Sequence, residues 1–389
     1  MNTHKLLPLY RGELVENVIP FWETHSIDRE CGGFFTCLDR DGGVYSTDKY
    51  MWLQGRAVYM WSQLHRHVDA SRGWLEHAKQ GAAFLRAHGR DRNTGRVFFS
   101  LDRQSRPLHI QRKIYSEVFY VLAMCEMFAS TGQAEFLDEA QEVFWLTYDL
   151  WQHPEKLGRP QLAGTPRLCT LADPMVFLSM IEALRPATGD SRYDDIAVQM
   201  QATTLRHIRP DRRLVLENVT PEGAELDTPK GRLLSPGHAI EMGWFLLHHA
   251  LHTNDESLTR QSLDIIEWSF ERGWDEEFGG LFYFLDADGR PPTQLEWSMK
   301  LWWPATEALY ATLLAWKISG PDRGQKFLAM HERMRQWSWQ HFRDETHGEW
   351  FGYLDRQGRP THTLKGGEWK GFFHLPRALL LMTMLLEKR

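Results

Sequence analysis

Several residue patterns are missing from this 389-residue chain, and each absence narrows what it can be. Its four cysteines, Cys31, Cys37, Cys125 and Cys169, form no Cys-x-x-Cys pair and no zinc-ligand spacing. Free, mostly buried thiols in a reducing cytoplasm are the simplest expectation. No stretch approaches the roughly 18 uninterrupted apolar residues of a membrane span, and charges interrupt the apolar positions of the N-terminal MNTHKLLPLYRGELVENVIP, unlike a signal peptide. There is no excess of positive charge either. Lys and Arg number 45 against 51 Asp and Glu, a formal net charge of −6, which gives no electrostatic reason to expect a nucleic-acid partner. The sequence lacks Gly-x-Gly-x-x-Gly between strand and helix, Gly-x-x-x-x-Gly-Lys-Ser/Thr, and His-Glu-x-x-His. GGEWKG, from Gly366, contains Lys370 but not the phosphate-loop spacing, and His248, His249 and His252 in HHALH have no evident carboxylate constellation. No cofactor and no metal are expected.

Aromatic residues, by contrast, are abundant: 17 Trp, 11 Tyr and 21 Phe in a chain with globular proportions of hydrophobic (42%) and charged (25%) residues. The excess fits either a carbohydrate-stacking site or large helix-packing surfaces. Four segments resemble one another: GGFFTCLDRDG from Gly32, GRVFFSLDRQSRP from Gly95, GGLFYFLDADGRP from Gly279 and GEWFGYLDRQGRP from Gly348. Each reads as a short strand, a polar turn and the start of a return strand. The gap between the second and third Leu-Asp pairs, 101/102 and 285/286, is close to three repeat intervals. Two degenerate copies are therefore expected there, RRLVLENVTPEG (212–223) and the loop around LGRPQLAGTPR (157–167).

Between these hairpins the hydrophobic period is helical. Twelve helices are expected, at 5–19, 52–68, 74–88, 116–130, 134–148, 171–186, 191–207, 238–252, 257–271, 300–317, 324–341 and 374–387. Six helix pairs are few for an open solenoid and fit a closed all-α (α/α)6 toroid, one domain over 1–389, with the hairpins on one rim. In such a ring the first turns of the inner helices line a cup. His238 and His374 each start an inner helix, and Arg56 lies in the first turns of another. Glu241 follows His238 by three residues and shares its helix face. Trp369 is placed to cover a sugar ring, as is one of Trp302 and Trp303; the other must be structural, because adjacent helical residues point in different directions. The alternative for each histidine is a helix cap or a satisfied core residue, and for Arg56 a structural ion pair.

The segments KYMWLQGR (49–56), LSPGHAIEMGWFLL (234–247), KLWWPATEAL (300–309) and KGFFHLPRALL (370–380) occur in the order found in the N-acylglucosamine 2-epimerase family, which the whole chain resembles. That family also contains mannose isomerases and cellobiose 2-epimerases. The resemblance implies an (α/α)6 toroid, commonly a homodimer. It makes His238 and His374 the catalytic pair, Arg56 and Glu241 substrate-binding residues, and Trp303 and Trp369 aromatic walls. One departure is informative: the cellobiose-acting branch carries a further histidine in its central inner helix, and CTLADPMVFLSMIEALR (169–185) has none. The implied reaction is 2-epimerisation of N-acetylglucosamine and N-acetylmannosamine, with mannose–fructose isomerisation and, further off, cellobiose epimerisation as alternatives. A sugar-binding or nucleotide-responsive interaction protein is the non-enzymatic alternative. Some relatives bind nucleotide as an effector; no phosphate loop supports that here. Two histidines suit proton removal and return beside a carbonyl, since each exchanges a proton near neutral pH. Arg56 would stabilise the enediolate. Glu241 would hold a histidine tautomer or bind a hydroxyl.

Overall fold

The computed structural model describes residues 3–110, 113–158, 160 and 164–388. Among them thirteen α-helical segments follow in chain order: α1 (Leu6–Gly12), α2 (Ile19–His25), α3 (Met51–His67), α4 (Trp74–His88), α5 (Tyr115–Thr131), α6 (Ala134–Gln152), α7 (Ala172–Thr188), α8 (Arg192–Leu205), α9 (Pro236–Thr253), α10 (Glu256–Gly273), α11 (Trp302–Ile318), α12 (Pro321–His341) and α13 (His374–Glu387). The odd-numbered helices from α3 to α13 pack each against the next, and α13 returns to α3, closing a ring. The even-numbered helices from α4 to α12 wrap α3 to α11, and α1 lies on α13. Layering follows from the residues. In α11 every residue from Trp302 to Ala315 is buried, as befits a helix surrounded by neighbours, whereas α10 buries only a stripe that includes Leu258, Ile265, Ile266 and Phe270.

Twelve helical rods are thus present, the first built from α1, a π-helical turn at Glu13–Val18, and α2. The sequence reading ended this helix at Ile19, ahead of Pro20; the structure carries it on to His25. A proline inside a helix lacks a donor and crowds the preceding turn, and the widened π turn ahead of Pro20 provides the adjustment.

The Leu-Asp segments differ in part from the expected local hairpins. Cys37–Leu38 pairs with Val44–Ser46, and Ser100–Leu101 with Pro107–His109, as expected. Other pairings span a whole helix pair: Lys49–Tyr50 with Ser100–Leu101, Cys169–Thr170 with Asn218–Val219, Leu233–Leu234 with Leu285–Asp286, and Lys300–Leu301 with Tyr353–Leu354. In each, the strand leading into an inner helix meets the strand that follows the next outer helix. Every pairing therefore clips together the two ends of one α/α unit and fixes where the inner helix starts. Within the proposed degenerate copies, 212–223 does contain paired strand at Leu214–Val215 and Asn218–Val219. Residues 159 and 161–163 of the other lie outside the described residues.

A second device repeats with the strands. Asp28, Asp91, Asp275 and Asp344 each accept backbone N–H groups from the following turn. Four residues after each aspartate stands a glycine, Gly32, Gly95, Gly279 or Gly348, with φ between 72° and 79°, the region that favours glycine. In three turns the aspartate also receives a buried lysine and an arginine from a neighbouring Leu-Asp-Arg segment. Lys49 and Arg103 reach Asp28 at 2.8 and 3.1 Å, and Lys300 and Arg356 reach Asp275 at 3.0 and 2.9 Å. Lys365 and Arg40 reach Asp344 at 2.9 and 2.8 Å. The last clamp joins the final repeat to the first. Where Ala287 replaces the arginine, Asp286 instead accepts from Arg232 at 3.0 Å.

The aromatic excess is largely structural, since Trp22, Trp61, Trp74 and Trp350 are fully buried. All four cysteines are free. No helix among the described residues is long and apolar enough to cross a membrane.

Candidate active site

At the rim where the inner helices begin, α3, α9, α11 and α13 bring together Arg56, His238, Glu241, Trp303, Glu307, His374 and Arg377. His374 is the first residue of α13, and its Nδ1 lies 2.8 Å from Glu307 Oε1. An Nδ1–H donated to that carboxylate leaves Nε2 for proton exchange. His238, in the first turn of α9, is less enclosed, and its Nδ1 lies 3.0 Å from Glu217 Oε1. Glu217 is held by its backbone on both sides: its N–H donates to Leu233 O, and its carbonyl accepts from Leu171 N–H, each at 2.9 Å. Its other oxygen, Oε2, is buried without a hydrogen-bond partner.

Trp303 packs against both histidines, with ring centroids 5.0 Å from His238 and 5.9 Å from His374. This closeness requires Gly237, where a Cβ would stand 2.7 Å from the Trp303 ring. Trp302 packs edge-on against Tyr353 at 5.2 Å and His374 at 6.3 Å between centroids, whereas Trp303 lies against both histidines. Trp369 is half exposed at the mouth, edge-on to Trp52 at 5.1 Å.

Arg56 is buried inside an aromatic box, its guanidinium carbon 4.1 Å from the Phe119 centroid, 4.6 Å from Trp52 and 4.8 Å from Phe373. It makes no hydrogen bond or ion pair among the described residues, and its Nε is buried unpartnered. Gly55 permits the position, because a Cβ there would meet Phe119 O at 2.4 Å. Burial, and then the nearby Arg377 charge, depress its pKa to about 9, so the group remains a cation at neutral pH.

Glu241 does not hold His238, contrary to one of its two expected roles. Its Oε1 accepts from Arg377 Nη2 at 2.7 Å, and the same nitrogen donates to Glu307 Oε1 at 2.6 Å. Trp244 Nε1–H donates to Glu307 Oε2 at 2.9 Å, so both oxygens of Glu307 are engaged. Glu241, Glu307 and His374 present ligand atoms within 4.8 Å of one another, close enough for a metal ion. The Arg377 nitrogen already sits on both carboxylates and supplies the positive charge at that point.

The two histidines have opposite electrostatic settings. Burial pulls the His238 pKa down, but the Glu217 charge and hydrogen bond, with the charge of Glu241, outweigh it and raise the value above that of ordinary histidine. Burial drives His374 well below its usual value, and the charges of Arg56 and Arg377 push the same way. His238 therefore holds its proton more tightly than an ordinary histidine and His374 less tightly, which suits the first as the acid and the second as the base. Asp173, in the first turn of α7, is lifted by burial to about 6.

Sequence reasoning missed Glu217, Glu307 and Arg377. Arg377 follows His374 by three residues as Glu241 follows His238, and the opposite charges of these two i, i+3 pairs signalled the salt bridge. Glu307 lies four residues beyond Trp303, a lone acid in an apolar inner helix. Glu217 gave no such local signal. Lys370 of GGEWKG, for its part, is buried against Glu349 at 2.7 Å, a structural ion pair.

A sequence profile of the N-acylglucosamine 2-epimerase (GlcNAc 2-epimerase) family matches residues 33–378. The chain belongs to this family. It is 42% identical over 386 residues to N-acylglucosamine 2-epimerase of Rattus norvegicus, covering 96% of this chain and 90% of that protein. It is 41% identical over 386 residues to the Homo sapiens N-acylglucosamine 2-epimerase, covering 96% and 89%. The solved cellobiose 2-epimerase from Bacillus thermoamylovorans B4167 superposes with a TM-score of 0.84 at 20% identity, covering 99% of this chain and all of that one, and shows the common toroid. The chain is accordingly an isomerase of the epimerase family, with the helical ring that its sequence implied.

Proposed function

We propose that this protein interconverts N-acetylglucosamine and N-acetylmannosamine by removing the C2 proton of the open-chain sugar and returning it to the opposite face. The observation that carries the reading is the pair of histidines set against one tryptophan with opposite protonation preferences. Groups whose surroundings push their pKa values apart divide into an acid and a base. For whichever epimer presents its C2 proton to Nε2 of His374, that neutral imidazole takes the proton. The electron pair moves into the C1–C2 bond, and negative charge collects on the C1 oxygen. Arg56, a cation without an ion pair among the described residues, is the group to stabilise that oxyanion, an interaction that strengthens as charge develops. His238, protonated, then delivers a proton to C2 from the other side. The reverse reaction uses the complementary state, with His374 protonated and His238 neutral.

Similarity above 40% to two N-acylglucosamine 2-epimerases over nearly the full length supports an acetamido sugar as substrate. The absence of histidine from residues 169–185 supports a monosaccharide over a disaccharide. Trp303 and the half-exposed Trp369 supply flat faces against which a sugar ring packs, and Glu241 remains a substrate-binding candidate through its second oxygen.

The test is incubation with N-acetylmannosamine, mannose and cellobiose in deuterated water, followed by NMR of the products. N-acetylglucosamine carrying deuterium at C2 is the expected result. Fructose from mannose as the principal product would make the protein an aldose–ketose isomerase, an epimerised disaccharide would move it to the other branch, and no conversion would overturn the enzymatic reading.

A further inference from the structure

The inner face of α9 continues below the site. His238, Glu241, Trp244 and His248 follow one another down the helix at spacings of three, three and four residues, one stripe along a single face. His248 belongs to the histidine cluster that has no role in the reaction proposed above. Its Nδ1 lies 2.8 Å from Glu182 Oε1 on α7, and its Nε2 lies 2.7 Å from the Tyr310 hydroxyl on α11. With Nδ1–H donated to the carboxylate, Nε2 accepts the tyrosine O–H. One imidazole thereby ties three consecutive inner helices together, and Glu182 carries the chain to partly exposed surface.

This brace has a definite load. The Trp244 ring stands edge-on to His248 and to Tyr310, 5.1 Å between centroids in both cases. Trp244 Nε1–H is the donor to Glu307 Oε2, and the other oxygen of Glu307 holds His374 Nδ1. An indole donates along a single direction fixed by the ring plane. Whatever fixes that plane also fixes the carboxylate behind His374.

We propose that His248 is a positioning residue for the reaction: held by Glu182 and Tyr310, it locks the Trp244 indole and so aims Glu307 at His374. The proposal rests on the histidine roles assigned above, but its structural half stands independently of the substrate. Because none of Glu182, His248, Tyr310 and Trp244 is needed to touch the sugar, their loss acts on turnover and leaves binding unchanged. A small misplacement of a reacting group costs up to about a hundredfold in rate, so loss of the brace is expected to lower kcat about ten- to hundredfold.

His248→Leu removes both hydrogen bonds at similar volume, and His248→Gln keeps the reach to the Tyr310 hydroxyl. Two quantities decide the matter: kcat and KM on the sugar that wild type converts, and solvent exchange of the Trp244 indole N–H followed by NMR. For His248→Leu the expected result is a kcat reduced about ten- to hundredfold at unchanged KM, with indole exchange accelerated at least about tenfold. His248→Gln should recover kcat to within about threefold of wild type. A His248→Leu protein with wild-type kcat and wild-type indole exchange overturns the proposal, as does one whose loss lies wholly in KM. If His248→Leu does not fold, Tyr310→Phe, which deletes one hydroxyl, takes its place under the same criteria. If wild type converts no sugar, the functional reading fails, and the indole exchange alone still decides whether the brace exists.

Discussion

The two histidine corners of the cup are built from the same parts and end with opposite pKa shifts. Each imidazole begins an inner helix, each has Nδ1 against a glutamate, and each packs on Trp303. The difference lies in what surrounds the glutamate. Glu217 serves His238 with its second oxygen unpartnered, so its full charge acts on the imidazole. Glu307 is shared among His374, Arg377 and Trp244, which spends its charge elsewhere, and Arg56 adds a second nearby cation. A carboxylate contact alone therefore does not set a histidine's pKa: at His374 burial, and then the charges of Arg56 and Arg377, prevail, whereas at His238 Glu217 outweighs burial.

The largest test of this contrast is removal of either ring. His374→Ala and His238→Ala should each lower kcat by about 10²–10⁴-fold with the fold retained, as judged by circular dichroism, since both proton transfers are obligatory. A normally folded double variant with near-wild-type turnover would break the comparison outright. Next in size is Arg56→Met, which takes away one of the cations that depress His374 along with the oxyanion partner. A kcat loss of about 10²–10³-fold is expected, together with an acid limb of the pH–rate profile moved toward higher pH. An unchanged acid limb would mean that Arg56 does not act on His374.

Glu217→Gln sharpens the other corner. Its carboxylate raises the His238 pKa, and the direction begun by neutral His374 needs His238 protonated, so the basic limb of that direction belongs to His238. Losing the carboxylate should move that limb to lower pH, so that activity falls more on the basic side of the profile than on the acid side. A uniform loss at every pH would assign Glu217 a purely structural role. The smallest effect belongs to chelation: exhaustive treatment with EDTA should leave turnover unchanged, because Arg377 supplies the charge between Glu241 and Glu307. Loss of activity restored by one divalent ion would place a metal among those ligands instead.

Much of this was legible in the chain. Helical period and the repeated Leu-Asp segments specified the paired ring, and glycine at a fixed offset marked the turns that carry its aspartate clamps. The first turns of inner helices pointed to His238, His374 and Arg56 because that position class is periodic in sequence, whereas Trp303 was distinguished from Trp302 only by the family resemblance. Partnerships were less accessible, since the charge pairs of the cup join elements far apart in sequence. Glu217 owes its place to backbone bonds with Leu171 and Leu233, contacts that depend on strand pairings spanning an entire helix pair. Glu241, set on the His238 face by its spacing and expected either to hold a histidine or to bind a hydroxyl, meets Arg377 from across the ring. Periodicity says which residues share a rim and is silent on which of them meet.

The central claim is that one cup holds, side by side, a histidine whose pKa is raised and one whose pKa is lowered. Titration of the two imidazoles by NMR in the substrate-free protein, with His238→Gln and His374→Gln assigning the signals, tests it most directly. The account predicts that His238 titrates above the ordinary histidine value of about 6.5, with His374 still neutral well below it. Two imidazoles titrating together near the ordinary value, or His374 protonating at higher pH than His238, would contradict it.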